Sequence, residues 1–420
     1  MADESCARYL GDVADIVMGQ SPPGGSVSPE PRGLPLLNGP TEFGPHHPAP
    51  VQFTVEVKKR AFCGDILFCV RGSTTGRMNW ADQEYAIGRG VAAIRHKYRP
   101  ELQPLVRAVI EYHLPNLLAQ ATGSTFPNVS AEQLARIPWP QLPEAEQLAI
   151  SHILGTLDEK IELNRRLSET LETMAGALFK SWFVDFEPVR AKMEGRWRRG
   201  ESIPGLPSHL YNLFPDRLVE SELGAIPEGW EVVPLRDVLT PSIVRAIEAN
   251  LPEYSATVHG LFPRSDRFKK QLAQSKAKNK KVEAGDLVFG LSRRVINFGL
   301  MREEKGCVSP VYEVFKVNSA RIDPDLLEQS IRIRMQDYLD ILRPGAREGQ
   351  PIDREYFLSK RITIPDQQVQ QEFRKLVGPY VVKWQKLESE QRTFAGLRDT
   401  LLPKLISGEL RVTDAKRFLP

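Results

Sequence analysis

Cysteine is scarce in this chain of 420 residues: Cys6, Cys63, Cys69 and Cys307 are scattered, and none has a second Cys or a His at metal-ligand spacing. That excludes a disulfide-stapled scaffold and leaves no metal site, as expected of reduced thiols in a cytosolic protein. An excess of one charge is missing too. Lys and Arg number 56 against 53 Asp and Glu, a formal net charge of +3, so a nucleic-acid surface has to be local. No run approaches the ~20 apolar residues that cross a bilayer. The opening MADESCARYLGD has neither the basic nor the apolar region of a signal peptide. A soluble, cytoplasmic protein without membrane contact is expected.

Catalytic signatures are lacking as well. The sole Pro-Pro pair, Pro22-Pro23, sits between Ser21 and Gly24, without the Asn/Asp and aromatic neighbours of an amino-methyltransferase active site. Gly72 and Gly76 are too close for a phosphate-cradling loop, and no Lys-Ser/Thr pair follows. Pro365-Asp366 with Glu372-Phe373-Arg374 lacks the lysine of a Mg²⁺ nuclease and falls on a helical pattern. His46-His47 lies in a proline-rich loop without acidic or cysteine partners, so a metal role is not expected.

What the chain does contain is a repeat. Gly64-Asp65-Ile66-Leu67-Phe68 recurs as Gly285-Asp286-Leu287-Val288-Phe289, and Arg136-Ile137-Pro138-Trp139-Pro140 recurs loosely as Arg361-Ile362-Thr363-Ile364-Pro365. The spacing is far too long for a solenoid and points to a duplicated half. The Gly-Asp-apolar runs read as a turn and a buried strand. Further strands are expected at Gly90–Ile94 and Val311–Val317. Ser130-Ala-Glu-Gln133 has the form of a capping box opening a short helix near 130–135.

Each half ends in a long helical pattern. Ile150, Leu154, Leu157, Ile161, Asn164, Ser168, Leu171, Ala175 and Leu178 step by threes and fours. Phe373, Leu376, Tyr380, Lys383, Leu387, Glu390, Phe394, Leu397 and Leu401 do the same. Alternating spacing of this kind is a coiled-coil seam, with Asn164, Ser168, Lys383 and Glu390 as polar interruptions that fix register. Leu157, Ile161, Leu171, Leu178, Leu387, Phe394, Leu397 and Leu401 are its expected apolar contacts. Gly378-Pro379 predicts a kink or break. Trp182 and Phe183 read as hydrophobic anchors at the first helix end. Basic residues from Arg190 to Arg199 and Pro204-Gly205-Leu206-Pro207 suggest a hinge-like linker. The expected fold is α+β: two similar domains, 1–142 and 226–365, separated by a long antiparallel two-helix coiled coil from 143–184 and 366–412, with a linker at 185–225.

The sequence resembles the specificity subunits of type I restriction-modification enzymes. The likeness is carried by LGDVADIVMGQSPP (Leu10–Pro23), ATGSTFPNVS (Ala121–Ser130), LPEAEQLAISHILGTLDEKIELNRRLSETLE (Leu142–Glu172), LFKSWFVDFEPVRAKMEGR (Leu178–Arg196), LFPDRLVESELGAIPEGWEVVPL (Leu213–Leu235) and LRDTLLPKLISGELRV (Leu397–Val412). The resemblance implies two target-recognition domains, each reading half of a bipartite site on double-stranded DNA. It implies that the helices set the spacing and dock two methyltransferase subunits, while restriction/translocase subunits supply motor and nuclease. S-adenosylmethionine, ATP and Mg would then belong to the partners, with no cofactor and no catalysis in this chain. A single-chain DNA-modifying or cutting enzyme, or a coiled-coil scaffold that binds no DNA, are the alternatives.

Phosphate contacts come from Lys, Arg, hydroxyls and backbone amides. Arg71-Gly72-Ser73-Thr74-Thr75-Gly76-Arg77 follows a strand and offers Arg71, Ser73, Thr74, Thr75 and Arg77 as a DNA-facing loop. In the second half Arg264, Arg267, Lys269, Lys270, Lys276, Lys278, Lys280 and Lys281 form a basic run that matches no recognised domain subtype. Arg293-Arg294 follows the second Gly-Asp strand as Arg71 follows the first, placing an arginine to reach a guanine edge.

Overall fold

A computed structural model describes residues 8–120, 127–248, 251–257, 260–264, 278–292, 295–341 and 353–412. The chain divides into two compact units: residues up to Ser168 together with those from Gln385 onward, and Glu169–Trp384. Each holds one β-rich domain and a part of each of two 40-residue helices, α3 (Glu144–Phe183) and α4 (Gln367–Ile406).

The first unit is built on the antiparallel sheet β1 (Ala14–Met18), β2 (Ile66–Cys69), β3 (Met78–Trp80) and β4 (Val91–His96), in the order β1-β4-β2-β3. Ile66 to Cys69 and Val91 to Ile94 are buried throughout, because both sheet faces are covered. One face packs on α1 (Gln103–Ala119), on α2 (Ala131–Ala135) and on Ile150, Leu154, Leu402, Leu405 and Ile406 of the long helices. The other packs through Leu37, Ala61, Tyr85 and Ile87 on a sheet of short strands. The expected capping box opens α2. Ser130 Oγ accepts the Gln133 N–H at 3.2 Å, and Gln133 Oε1 accepts the Ser130 N–H at 2.9 Å.

The second unit repeats the plan. Strands β5 (Leu239–Ser242), β6 (Asp286–Ser292), β7 (Val295–Leu300) and β8 (Glu313–Val317) form a sheet in the order β5-β8-β6-β7, the same sequence of first, last, second, third. The short strands agree as well. Ala61 pairs with Tyr85 and Val282 with Gly306, each antiparallel, and the strand of each second partner also pairs with a parallel strand. All four strands anticipated from the sequence are present. The duplication is therefore one of topology, beyond its short sequence echoes.

Within the first unit, α3 and α4 run antiparallel. Arg411 grips Glu146 at 2.6 Å, Arg398 reaches Asp158 at 2.9 Å, and Asn164 reaches Glu390 at 3.3 Å, so numbers rise on one helix as they fall on the other. Within the second unit, Phe179 and Phe373 stand 6.0 Å apart, while Met174 and Leu178 share a cavity wall with Leu376 and Tyr380. Leu387 is buried, and Leu157, Ile161, Leu171, Leu178, Phe394 and Leu401 are half-buried. Leu397 departs from the seam: it is 47% exposed, and the adjacent Arg398 turns inward to Asp158 instead.

Two further expectations give way. Of the kink or break expected at Gly378-Pro379, the break is not found: α4 is helical from Gln367 to Ile406. Pro379 is exposed, so the carbonyl that loses its intrahelical partner can bond water. The stretch 185–225 is no hinge. It carries a helix at Glu187–Met193, a 3₁₀ helix at Ser208–Leu213 and a hairpin of Leu218–Ser221 with Gly224–Pro227. Trp197, Leu206, Leu210 and Phe214 are buried in the same core as β6 and β8. Trp182 and Phe183 anchor the helix end there, with Trp182 5.1 Å from Phe214 and Phe183 4.8 Å from Phe373.

Candidate nucleic-acid interface

The Gly-Asp turns orient each sheet. Gly64 and Gly285 take φ +86° and +87°, the left-handed region glycine tolerates. Asp65 Oδ2 then accepts the Phe62 N–H at 2.8 Å and Arg95 Nη2 at 2.7 Å; Asp286 accepts the Glu283 N–H at 2.9 Å and faces Lys316. Burial pushes both carboxyls above the ordinary Asp range, against the pull of the backbone amide and the cation. These are turn anchors inside the fold.

At the other end of the sheet the chain is open. Strands β1 and β2 both run antiparallel to β4, so both finish at the same edge, where Met18 pairs with Ala92 and Cys69 with Val91. Three loops meet there: the one after β1, the one after β2, and the Gly88–Gly90 turn before β4. Gly19 N–H donates to Val91 O and Gln20 N–H to Ile87 O, both at 2.9 Å. A Cβ on Gly19 would stand 2.1 Å from Gly88 O, so only glycine permits the approach. Arg89 N–H donates to Ser21 Oγ at 3.3 Å. Gln20, Arg71, Ser73, Thr74 and Arg89 are exposed along this edge.

The loop from Arg71 to Arg77 is only partly available. Thr75 is buried, its hydroxyl donating to Gly72 O and Pro127 O at 2.8 Å each, so it shapes the loop from within. Arg77 Nη2 donates to Phe43 O at 2.7 Å and to Gly44 O at 3.3 Å, which spends its guanidinium on an adjacent loop. That loop seals the free edge of β3: Trp80 N–H donates to His46 O, and Asn79 Nδ2 to Gly44 O. Thr75 and Arg77 are thus corrected from DNA contacts to supports, whereas Arg71, Ser73 and Thr74 remain candidates. Arg89 was missed in the sequence, although Gly88-Arg89-Gly90 signals a cation on a tight turn.

In the second unit, Lys280 and Lys281 lie on the strand Lys280–Glu283 and are engaged. Lys280 Nζ donates to Tyr312 O at 2.6 Å, and Lys281 lies 3.1 Å from both Glu248 and Glu283. Their acidic partners are distant in sequence or on the same strand, so the basic run overstates the free charge. Lys278 is exposed and Arg264 half-buried. Arg267, Lys269, Lys270, Lys276, Arg293 and Arg294 lie outside the described residues.

His46 meets no metal set; among the described residues no group of three or more His, Cys, Asp or Glu is placed to hold one. Its Nδ1 lies 3.8 Å from Glu162, and burial lowers its pKa to about 4. Among the described residues, no helix is long and apolar enough to cross a membrane.

The chain is similar to known proteins over most of its length. Residues 7–173 match the family model described as type I restriction modification DNA specificity domain. The MjaIX type I restriction enzyme specificity subunit of Methanocaldococcus jannaschii is 28% identical over 309 residues, covering 70% of this chain and 65% of the relative. The HindI specificity subunit of Haemophilus influenzae is 34% identical over 149 residues, 33% of this chain and 32% of the relative. The chain thus spans just under two thirds and about a third, respectively, of these curated relatives. A crystal structure of a type I restriction-modification S subunit from M. genitalium shares the fold, with a TM-score of 0.59 at 15% identity over 96% of this chain and 97% of that one. The repeated sheet, the paired helices and these relatives point the same way: residues 7–173 match the type I restriction modification DNA specificity domain, and the chain is similar over 70% of its length to a type I restriction enzyme specificity subunit.

Proposed function

We propose that this chain selects the DNA sequence on which a type I restriction-modification complex acts, each unit reading one half of a bipartite site. The observation that carries the reading is the shared sheet plan, in which β1 and β2, and likewise β5 and β6, finish at one open edge. In the first unit that edge bears Arg71, Arg89, Ser73, Thr74 and Gln20, the side chains that meet phosphates and base edges. Helices α3 and α4 set the distance between half-sites and offer docking faces to two methyltransferase subunits and to restriction subunits. Those partners would carry S-adenosylmethionine, ATP and Mg; the chemistry on adenine or on the phosphodiester is theirs, and this chain supplies address and spacing in the cytoplasm.

Selection of bound duplexes from a randomised library, followed by sequencing, tests the reading. The expected result is two short conserved blocks separated by a constant unconserved spacer. One contiguous block, or no enrichment, overturns it. A second measurement follows affinity with rising salt, which should fall steeply because phosphate neutralisation releases counterions.

A further inference from the structure

Three aliphatic side chains on one short loop of the second unit are turned away from any core. Ile243 is 75% exposed, Val244 52% and Ile247 91%. Their loop is not loose. Ala246 between them is buried with Leu251 and Cys307, its N–H donates to Asn279 O at 2.9 Å, and Val244 O accepts the Lys281 N–H at 2.8 Å. The backbone is therefore fixed with the apolar groups held outward, which costs solvation unless something covers them.

Strand register says where the loop sits. Asp15 stands opposite Arg95 in the first unit, and Thr240 stands opposite Lys316 in the second. Continuing from these partners, Met18 to Pro22 correspond to Ile243 to Ile247. The loop is thus the counterpart of the one bearing Gln20 and Ser21 at the open edge. Local charge is positive: Arg245 and Lys278 are exposed. The neighbouring acids are compensated, Glu248 by Lys305 at 2.7 Å and Glu313 by Arg354 at 2.8 Å. A cationic rim around fixed aliphatic groups suits duplex DNA, with the phosphates meeting Arg245 and Lys278.

Resting on the function proposed above, we infer that Ile243, Val244 and Ile247 are specificity-determining residues of the second unit, reading the 5-methyl groups of thymines in the major groove. Among base edges only thymine presents an apolar group there. In the first unit Met18, Gly19 and Pro22 stand at the places of Ile243, Val244 and Ile247, while Gln20 stands at the place of Arg245.

The test uses the full chain, isolated with its native subunits, and duplexes drawn from the randomised library. Wild type is compared with Ile243→Ser/Ile247→Ser, two exposed substitutions. The wild-type motif should hold at least one invariant thymine in one block, and the variant should lose that preference while keeping the other block. Replacing that thymine by deoxyuridine should weaken wild-type binding about fivefold to tenfold, as expected for one lost apolar base contact. The variant should not respond to the replacement. An unchanged motif in the variant, or no deoxyuridine effect on wild type, overturns the inference while leaving the bipartite reading intact; that result would mean the patch faces a protein partner. Absence of any wild-type motif overturns both.

Discussion

Asn164 and Glu390, 226 residues apart, meet in the first unit: Asn164 Nδ2 donates to Glu390 Oε2 at 3.3 Å. Each is one of the polar interruptions in a largely apolar helical rhythm, and these two satisfy one another. An apolar residue opposite the buried Asn164 would take away this acceptor, so the pair favours one register over its neighbours. A double-mutant cycle with Asn164→Ala and Glu390→Ala should give a coupling of about 0.5–1.5 kcal/mol from denaturant midpoints. A coupling of zero would mean that the pair does not fix register.

Asp65 offers a larger effect. It is buried and ties the Phe62 amide and Arg95 together at the start of β2. Asp65→Ala leaves a buried amide and a cation unanswered, so a loss of about 2–4 kcal/mol in unfolding free energy is expected. Asp286→Ala should show the same defect in the second unit, because its carboxylate does the same work for Glu283 and Lys316. Similar losses from both would confirm the duplicated turn by energetics. A loss under about 0.5 kcal/mol, the ordinary surface value, would refute it.

These turns were readable in the sequence because Gly-Asp before an apolar run is a local signal with a local cause. The same holds for the Ser130–Gln133 box and the helix limits near 144 and 183. The linker was misread for the opposite reason. Pro204, Gly205 and Pro207 advertise irregular chain, whereas Trp197, Leu206, Leu210 and Phe214 are buried by residues of β6 and β8 far along the chain. Lys280 and Lys281 looked free since Glu248 and Tyr312, which occupy them, are tens of residues away. Thr75 and Arg77 fail likewise: Pro127 and Phe43 claim them through tertiary folding. Ile243 and Ile247 carry no sequence signal of exposure, and only the fold turns them outward.

Acid should destabilise the first unit through His96. Its Nδ1 accepts the N–H groups of Tyr98 at 3.3 Å and Arg99 at 3.0 Å, which requires a neutral ring, and burial lowers its pKa to about 4. The unfolded ring titrates near 6.5, so between pH 6.5 and 4 the unfolded chain binds the extra proton. Stability is therefore present in full above pH 6.5 and falls as pH drops toward 4, by an amount on the order of a few kcal/mol. Denaturant midpoints across that range should decline for wild type and decline less for His96→Asn. Identical slopes would remove His96 as the cause.

Available and committed cations at the open edge should separate in binding experiments. Arg71→Ala and Arg89→Ala should weaken binding to any duplex and reduce the slope of log K against log salt by about 0.9 each, the value for one phosphate contact. Arg77→Ala should instead lower the unfolding temperature, because its guanidinium holds the Phe43–Gly44 loop. An unchanged salt slope in Arg71→Ala and Arg89→Ala would move the interface elsewhere.

Helix length itself can be edited. Arg398 pairs with Asp158 in one unit and Phe373 packs on Phe179 in the other, so α3 and α4 are in antiparallel register within each. Seven residues inserted after Glu169 in α3 and seven before Gln385 in α4 add two helical turns to both and return every side chain to nearly its former face. Each insertion adds about 10 Å at 1.5 Å per residue, close to three base pairs at 3.4 Å. The duplexes selected by such a chain should carry the same two blocks with the spacer lengthened by about three base pairs. A spacer of unchanged length would show that the helices do not set it, and altered blocks would show that reading and spacing are not separable.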